Sequence, residues 1–313
     1  MNKREIEAIV KGAGGSTLTK KNRSTSLHAA AKTLRQELNI QLKSFAGLKS
    51  QHIERLAAHW MAKELSPRTV QNRMAHLRAA LHHHKRESFA SSPRVSNGSL
   101  GLKSTRGGTH TTPSLQTIQE RIAALPAGHK EAAQLQVTLG LRANEAIQSN
   151  KSLKTWEKQL ENGRSVSVLH GTKGGRQRDV TLNDKNAREA ALSAVRAAIK
   201  ASDSQGGTLV PSKSLQGANR AYQRSMNQVG FKGSEASHSL RYAFAQKQFR
   251  SYQEQGYETK EALSALSLDL GHGDGRGTYC KQVYLKGSWG MGASPHGDNS
   301  TSSETGYDAE QCL

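Results

Sequence analysis

Residues 238–252 read HSLRYAFAQKQFRSY and combine a helical apolar pattern with two reactive side chains. The apolar positions recur at spacings of three, four and three: Tyr242, Ala245, Phe249 and Tyr252. This periodicity predicts one buried face of a helix. His238 and Arg241 share a face of its first turn, and a helix N-terminus favours anions because its backbone N–H groups are unpaired. The stretch therefore predicts a helix that presents a histidine and an arginine to a phosphate.

Two motifs downstream strengthen this interpretation. Leu270-Gly271-His272 ends another apolar helical run, and two tyrosines follow, Tyr279 and Tyr284. Arginine offers a planar fork of donors to two phosphate oxygens, histidine can donate or shuttle a proton, and a phenol can act as a nucleophile. His238 and Arg241 alone would suit an ordinary surface helix. Together the motifs indicate chemistry on a phosphodiester that needs no metal and no cofactor.

The charge of the chain indicates a polyanionic partner. Its 313 residues include 45 Lys+Arg and 25 Asp+Glu, which gives a net charge of +20. No apolar run is long enough to cross a bilayer, and the first residues lack the hydrophobic core of an export signal. The two cysteines, Cys280 and Cys312, form neither a disulfide framework nor a metal-site spacing, which fits a reducing cytoplasm. We therefore expect a nucleic-acid partner rather than a membrane.

The first part of the chain is predicted to be a basic arm followed by a helical domain. Residues 1–24 are basic and polar and contain a glycine-rich stretch, which indicates a flexible arm. Residues 25–87 show helical apolar stripes, and Ser66-Pro67 is typical of a helix start because a capping residue precedes a proline. Three arginines of the helix that begins there are candidates for contacts with a phosphate backbone: Arg68, Arg73 and Arg78.

Residues 88–112 are predicted to be a linker. They are rich in Ser, Gly and Thr, contain Pro93 and have no apolar period. Lys103 and Arg106 make the segment basic. Such a segment suits a clamp that closes around a duplex, and it suits a plain tether equally well.

A second domain is predicted over residues 113–285. In it, Leu139-Gly140-Leu141-Arg142 interrupts one helix and places Arg142 in the first turn of the next. Glu145 follows one turn later and can orient the guanidinium, although an isolated pair of this kind is usually a surface pair. Residues 286–313 are rich in Gly, Ser and acidic residues and are predicted to be a flexible tail.

The second domain also contains a predicted β-hairpin. Residues 165–169 and 178–182 alternate like strands, and the glycines within 171–175 indicate a turn. Lys173 lies at the tip, where it can reach a phosphate ester oxygen or remain an ordinary exposed lysine. Arg176 and Arg178 beside the tip are further candidates for phosphate contacts. The predicted fold class is mainly α with one small β-hairpin.

Several motifs of the second domain occur in the order of a known family. They are Arg142, Lys173, His238-x-x-Arg241, Leu270-Gly271-His272 and a downstream tyrosine. Their order and surroundings resemble the catalytic domain of the tyrosine recombinases, the phage-integrase type of site-specific recombinase, and residues 25–87 resemble the core-binding domain of that family. The resemblance covers roughly residues 25–285 and depends on order, because each motif alone is weak. It implies a helical core-binding domain joined to a mixed α+β catalytic domain.

The resemblance implies a role for each motif. Arg142 and Arg241 would clamp the scissile phosphate, Lys173 would protonate the leaving 5′-oxygen, and His272 would hydrogen-bond the phosphate. A tyrosine would attack phosphorus to give a 3′-phosphotyrosine, with His238 assisting the loss of its proton. A second strand could reverse the step without ATP or metal.

The resemblance also implies partners and a location. The substrate would be double-stranded DNA attachment sites of a mobile element, which the enzyme integrates or excises. The enzyme would act as a homotetramer assembled on that DNA, with accessory DNA-bending proteins as further candidate partners. It would be cytoplasmic and associated with the nucleoid.

One departure from the family concerns the nucleophile. The usual spacing, nine residues after the histidine, falls on Lys281. Tyr279 lies two residues before that position and Tyr284 three residues beyond it. Gln282-Val283-Tyr284 resembles the ending common in the family, and glycines at 273, 275 and 277 would permit a longer loop. We therefore expect Tyr284 to be the nucleophile, with Tyr279 as the alternative.

Two other classes of protein are compatible with parts of the sequence. A type IB topoisomerase would use similar chemistry to relax DNA without exchanging strands between partners. A basic DNA-binding protein without activity would explain the charge, but it would leave the order of the motifs as a coincidence.

Overall fold

The computed structural model divides the chain into two compact units, Met1–Arg106 and Gly107–Leu313. The structure describes residues 1–102 and 107–286. Lys103 and Arg106 of the predicted linker, and the predicted tail from residue 287 onward, lie outside the described residues. Within the described ranges, every helix is too short or too polar to cross a bilayer.

The first unit is helical. Its helices are α1 (Lys3–Gly12), α2 (Thr17–Lys32), α3 (Ser50–Ala62), α4 (Pro67–His83) and α5 (Glu87–Ala90). Helix α4 begins as its sequence predicts, because the Ser66 hydroxyl accepts the backbone N–H of Thr69 at 3.2 Å and Pro67 occupies the first helical position. The apolar faces of α2, α3 and α4 form one core with Trp60 at its centre, 2% exposed.

The predicted flexible arm over residues 1–24 is wrong, because these residues form α1 and the first half of α2. Ile6 and Ile9, one helical turn apart, are buried in the core of the first unit. Arg23 is also buried and donates to the Gly14 carbonyl at 2.9 Å. Lys3, Arg4 and Lys11 lie on the exposed face of α1. The overall polar composition of the segment therefore concealed a short amphipathic helix.

The predicted linker is shorter than the sequence indicates. Ala90, Val95 and Leu102 are all buried in the core of the first unit, so residues 88–102 belong to that unit. Residues 107–112 belong to the second unit, where the Thr111 N–H donates to the Ser234 carbonyl at 2.9 Å. The apolar residues of 88–102 are too widely and irregularly spaced to show a period, yet each fills a place in the core.

The second unit is mainly helical with one small sheet, which confirms the predicted fold class. Its helices are α6 (Leu115–Ala123), α7 (His129–Leu139), α8 (Ala143–Ile147), α9 (Leu153–Glu161), α10 (Lys185–Ser204), α11 (Leu215–Gln228), α12 (Ser239–Glu254), α13 (Thr259–Asp269) and α14 (Gly277–Tyr284). The sheet is the predicted antiparallel hairpin of β1 (Val166–Val168) and β2 (Arg178–Val180). Its register pairs Val166 with Val180.

Helix α12 packs against α7, α13 and α14 and so joins the segments that carry the motifs. Gly140 ends α7 with a φ of 59°. A Cβ on Gly140 would lie 2.4 Å from the Phe244 ring, so this glycine allows α12 to approach the end of α7 closely. The close approach brings the first turn of α12 to the carbonyl of Gly140 and to the turn after α13.

Candidate active site

Arg241 lies at the centre of the site and is fully buried. Its guanidinium donates to two backbone carbonyls, those of Gly140 at the end of α7 and Leu270 at the end of α13. Its Nε lies 3.4 Å from the Tyr284 hydroxyl. Burial, together with the nearby charge of Arg178, lowers the pKa of Arg241 to about 10, so the side chain remains a cation at neutral pH. Distant segments of the chain therefore hold this arginine in one orientation.

Arg142 lies beside Arg241 and is the more open of the two, with 23% of its side chain exposed. It caps α8, and its Nη1 donates to Glu145 Oε1 at 2.6 Å. Its Nη2 reaches the Leu270 carbonyl at 3.4 Å, which is the carbonyl that Arg241 also contacts. The Glu145 side chain is fully buried, so Arg142 and Glu145 are not a surface pair. The two arginines thus form a fixed cationic pair.

Tyr284, the last residue of α14, places its hydroxyl against this pair. The hydroxyl lies 3.0 Å from His272 Nε2 as well as 3.4 Å from Arg241 Nε. The alternative tyrosine, Tyr279, contacts the same histidine through its ring, with 4.9 Å between the ring centroids. The hydroxyl that meets both an arginine and a histidine is therefore that of Tyr284.

Both site histidines are neutral at pH 7. Burial, aided by the charge of Arg241, lowers the pKa of His238 to about 4 and that of His272 to about 3. The ring centroid of His238 lies 6.2 Å from that of Tyr284, whereas His272 is within hydrogen-bond distance of the phenol. Neutral His272 can thus accept the phenolic proton directly, a task that the sequence assigned to His238.

Lys173 lies on the exposed tip of the hairpin. Two residues before Lys173, the turn is attached to α8. The Asn144 side chain of that helix donates to the Gly171 carbonyl at 2.9 Å. A Cβ on Gly171 would lie 2.4 Å from the Asn144 carbonyl oxygen, so the turn packs closely on the helix that Arg142 caps. The structure brings five predicted catalytic residues together, whereas Lys173 lies on the exposed turn that contacts α8.

The arginines expected to contact DNA phosphates differ in their surroundings. Arg68 and Arg176 are exposed. Arg73 stacks on Trp60 with 4.7 Å to the ring centroid, and Arg78 donates to the Val95 carbonyl at 2.6 Å within the first unit.

The prediction that Arg178 contacts DNA is wrong, because only 2% of its side chain is exposed. It pairs with Glu145 at 2.8 Å. The sequence could have indicated this burial, because alternate residues of a strand share a face and Arg178 alternates in step with the buried Val180 and Leu182.

Sequence reasoning missed residues of the strap, the segment 107–111. His110 lies 5.4 Å from His238 between ring centroids, and its own ring also contacts Tyr242. The Gly108 N–H lies 3.4 Å from the Gln282 carbonyl of α14. No local pattern marks these contacts, because their partners are far away in the sequence.

Among residues 1–102 and 107–286, no group of three or more His, Cys, Asp or Glu side chains is placed to hold a metal ion. The described site instead brings together a pair of arginines, two neutral histidines and a tyrosine. Such a group of side chains is suited to attack by an oxygen nucleophile on an anionic ester.

Comparisons with known proteins agree with this chemistry. The family model described as phage integrase, N-terminal, matches residues 1–90, and the model described as integrase matches residues 102–247. No curated protein matches the sequence significantly.

Solved structures share the fold. A lambda integrase dimer bound to a COC′ core site is 17% identical, with a TM-score of 0.61, and the match covers 94% of this chain and 96% of that one. The Tn1549 transposon integrase in complex with transposon right end DNA is 16% identical, with a TM-score of 0.56, covering 88% and 93%.

Fold and site therefore define an enzyme that breaks and rejoins DNA strands. The two matched segments together take in most of the chain, and the chain belongs to the tyrosine recombinase family, of the phage-integrase type. It is a site-specific recombinase, and its partner is DNA.

Proposed function

We propose that this recombinase cuts and rejoins the attachment sites of a mobile element through a 3′-phosphotyrosine on Tyr284. The observation that carries the proposal is the position of the Tyr284 hydroxyl, within reach of both Arg241 and His272. A phenol needs assistance to lose its proton at neutral pH, and a neutral imidazole at 3.0 Å can provide it.

The first half of the reaction is one displacement at phosphorus. The Tyr284 oxygen forms a bond to phosphorus as its proton passes to His272, and the bond from phosphorus to the 5′-oxygen breaks. Arg142 and Arg241 stabilise the charge on the non-bridging oxygens, and loss of one such donor costs roughly 3 kcal/mol in comparable sites. Lys173, carried on the hairpin tip attached to α8, gives a proton to the leaving 5′-oxygen. His238 borders the same position and is a second donor toward the phosphate.

The second half reverses the first with a different strand. The phosphotyrosine retains the energy of the phosphodiester, so the 5′-hydroxyl of a partner strand can attack phosphorus and release the tyrosine. Strand exchange of this kind integrates or excises a segment of DNA without ATP or metal. A type IB topoisomerase would instead return the original strand.

We further propose that a homotetramer assembles on double-stranded attachment sites in the cytoplasm, in association with the nucleoid, and that accessory DNA-bending proteins take part. Binding to DNA sites of this kind is supported by the two integrases of the same fold, which were solved on a core site and on a transposon end. The net charge of +20 suits binding to a polyanion.

The choice of nucleophile is tested with a nicked suicide substrate, which traps the covalent intermediate because the short fragment that carries the released 5′-hydroxyl diffuses away. We expect Tyr284→Phe to abolish trapping, because only the attacking oxygen is lost, and to leave DNA affinity unchanged. Tyr279→Phe is the matched control and should still trap. Trapping by Tyr284→Phe but not by Tyr279→Phe would make Tyr279 the nucleophile.

A junction assay on the wild-type protein distinguishes exchange between two duplexes from simple relaxation.

A further inference from the structure

Arg178 is a third arginine of the site, and its side chain is buried beneath the other two. One of its terminal nitrogens, Nη2, donates to Glu145 Oε2 at 2.8 Å and to the Gly140 carbonyl at 3.2 Å. The other, Nη1, donates to the Asp269 carbonyl. These acceptors come from three separate segments: the end of α7, the start of α8 and the end of α13.

Each acceptor of Arg178 also serves, directly or through its neighbour, a phosphate-binding arginine. Glu145 uses one carboxylate oxygen for Arg178 and the other for the side chain of Arg142. The Gly140 carbonyl accepts from Arg178 and from Arg241. Asp269 immediately precedes Leu270, the residue whose carbonyl accepts from both Arg142 and Arg241. The guanidiniums of Arg142 and Arg241 are therefore positioned by acceptor groups that Arg178 also binds or that lie next to one it binds.

The charges of the cluster make this arrangement necessary. Burial would raise the pKa of Glu145, but Arg178 and Arg142 outweigh that effect, so the pKa is lowered and the carboxylate stays charged. A buried carboxylate is tolerated only when its oxygens are hydrogen-bonded and its charge is paired. Arg178 pairs with Oε2 from below and leaves Oε1 aimed at Arg142.

The Leu270-Gly271-His272 motif gives a second indication that the site is built around the Arg178 side chain. Gly271 has a φ of 64°, and a Cβ there would lie 2.5 Å from Arg178 Cδ. A side chain at position 271 would therefore collide with the stem of the arginine. The glycine before His272 leaves room for Arg178 to pass into the cluster.

We propose that Arg178 is a positioning residue that aims Arg142 and Arg241 at the scissile phosphate without touching DNA. This inference rests on the proposed phosphotyrosine reaction. It predicts that the loss caused by removing Arg178 depends on the negative charge of the phosphate, since that charge is what the two outer arginines stabilise.

The test compares full-length Arg178→Gln with wild type on two suicide substrates. One has a normal scissile phosphate, and the other has a methylphosphonate, in which a methyl group replaces one charged oxygen. We expect the rate of covalent-complex formation on the phosphate to fall about a hundredfold, the size expected when reacting groups are misplaced by about 1 Å. On the uncharged methylphosphonate the deficit should shrink by about tenfold or more, because less charge has to be stabilised. DNA affinity should not change.

Arg188→Gln is the matched control. Arg188 also donates twice to one backbone carbonyl, that of Leu182, at 3.3 and 3.1 Å, but it lies outside the site. The variant should react like wild type on both substrates.

Several outcomes would overturn the inference. An equal deficit on both substrates would mean that Arg178 only stabilises the fold. A fall in DNA affinity would make it a DNA contact, and an unchanged rate would remove it from the site.

If Arg178→Gln does not fold, Arg178→Lys is measured in the same way. A lysine retains the charge beside Glu145 but cannot reach all three acceptors, so a smaller loss confined to the phosphate substrate is expected. A wild-type protein that forms no covalent complex would refute the proposed function itself.

Discussion

His238 and His272 are uncharged because the site around them is both buried and cationic. A phosphate entering the site would bring negative charge beside them and raise the pKa of each imidazole. In the free enzyme both imidazoles are therefore neutral bases. DNA binding raises their pKa values and so makes them better proton acceptors. Because His272 Nε2 lies 3.0 Å from the Tyr284 hydroxyl, the imidazole can accept the phenolic proton without moving.

These pKa values predict that low pH destabilises the free protein. The pKa of His238 is lowered to about 4 and that of His272 to about 3, whereas unfolded histidine has a pKa of about 6.5. Between about pH 6.5 and these lower values, the unfolded chain binds protons that the folded site does not, so the free energy of unfolding falls as the pH falls. Urea unfolding at several pH values should show a weaker dependence in His272→Gln than in wild type. Exposed His82→Gln is the control, and an unchanged dependence in His272→Gln would contradict the pKa shift.

At the scale of elements, the strap and α14 act on the position of the nucleophile. The strap contacts α14 through Gly108 and the His238 ring, at the start of α12, through His110. It therefore lies beside the tyrosine, although it carries none of the family's catalytic motifs. The Gln246 side chain of α12 donates to the Tyr284 carbonyl at 3.1 Å and holds the end of α14 from the other side. Helix α14 is short, and its place depends on these flanking contacts.

Gly108→Ala should therefore impair cleavage more than DNA binding. A Cβ on Gly108 would lie 2.1 Å from the Val283 carbonyl oxygen and 3.0 Å from the Tyr242 hydroxyl, so the strap or α14 must move. We expect covalent-complex formation to slow by about tenfold to a hundredfold, since small displacements of reacting groups are costly. In the control, Gly107→Ala, the new Cβ would meet only the end of the Lys286 side chain at 3.5 Å. Equal rates for the two variants would show that the strap does not position the tyrosine.

At the scale of the whole molecule, the basic residues are distributed over two units that each have their own core. If both units contact one duplex, the tether between them raises the effective concentration of the second unit once the first has bound. Affinity is then shared between the units, and each phosphate contact adds to its salt dependence.

We expect the intact chain to lose on the order of a thousandfold in affinity between roughly 50 and 200 mM salt, as for about six phosphate contacts. The fragment 107–313 should bind the same site more weakly and with a shallower salt dependence. The fragment must begin at Gly107, because the strap belongs to the second unit. Titrations by fluorescence anisotropy at several salt concentrations measure both slopes. Equal affinity of fragment and intact chain at every salt concentration would exclude shared binding.

The sequence by itself determined the order of the motifs and those elements of the fold that have strong local signals. The period of α12, the cap at Ser66 and the glycine turn around Lys173 are local signals, because neighbours within a few residues decide helices, caps and turns. The apolar stripe after Arg241 predicted a buried helix face, and the face is buried.

Only the tertiary structure decided which side chains meet. Ile6 and Val95 lie in segments judged polar by composition, yet each fills a core supplied by distant helices. The alternation of the strand could place Arg178 on the buried face, but only the packed chain supplies Glu145, 33 residues away, as its partner. Tyr284 likewise depends on His272 and on Arg241, which is 43 residues away. The physical reason is that burial and hydrogen-bond partners belong to the packed chain, whereas periodicity and capping belong to the local segment.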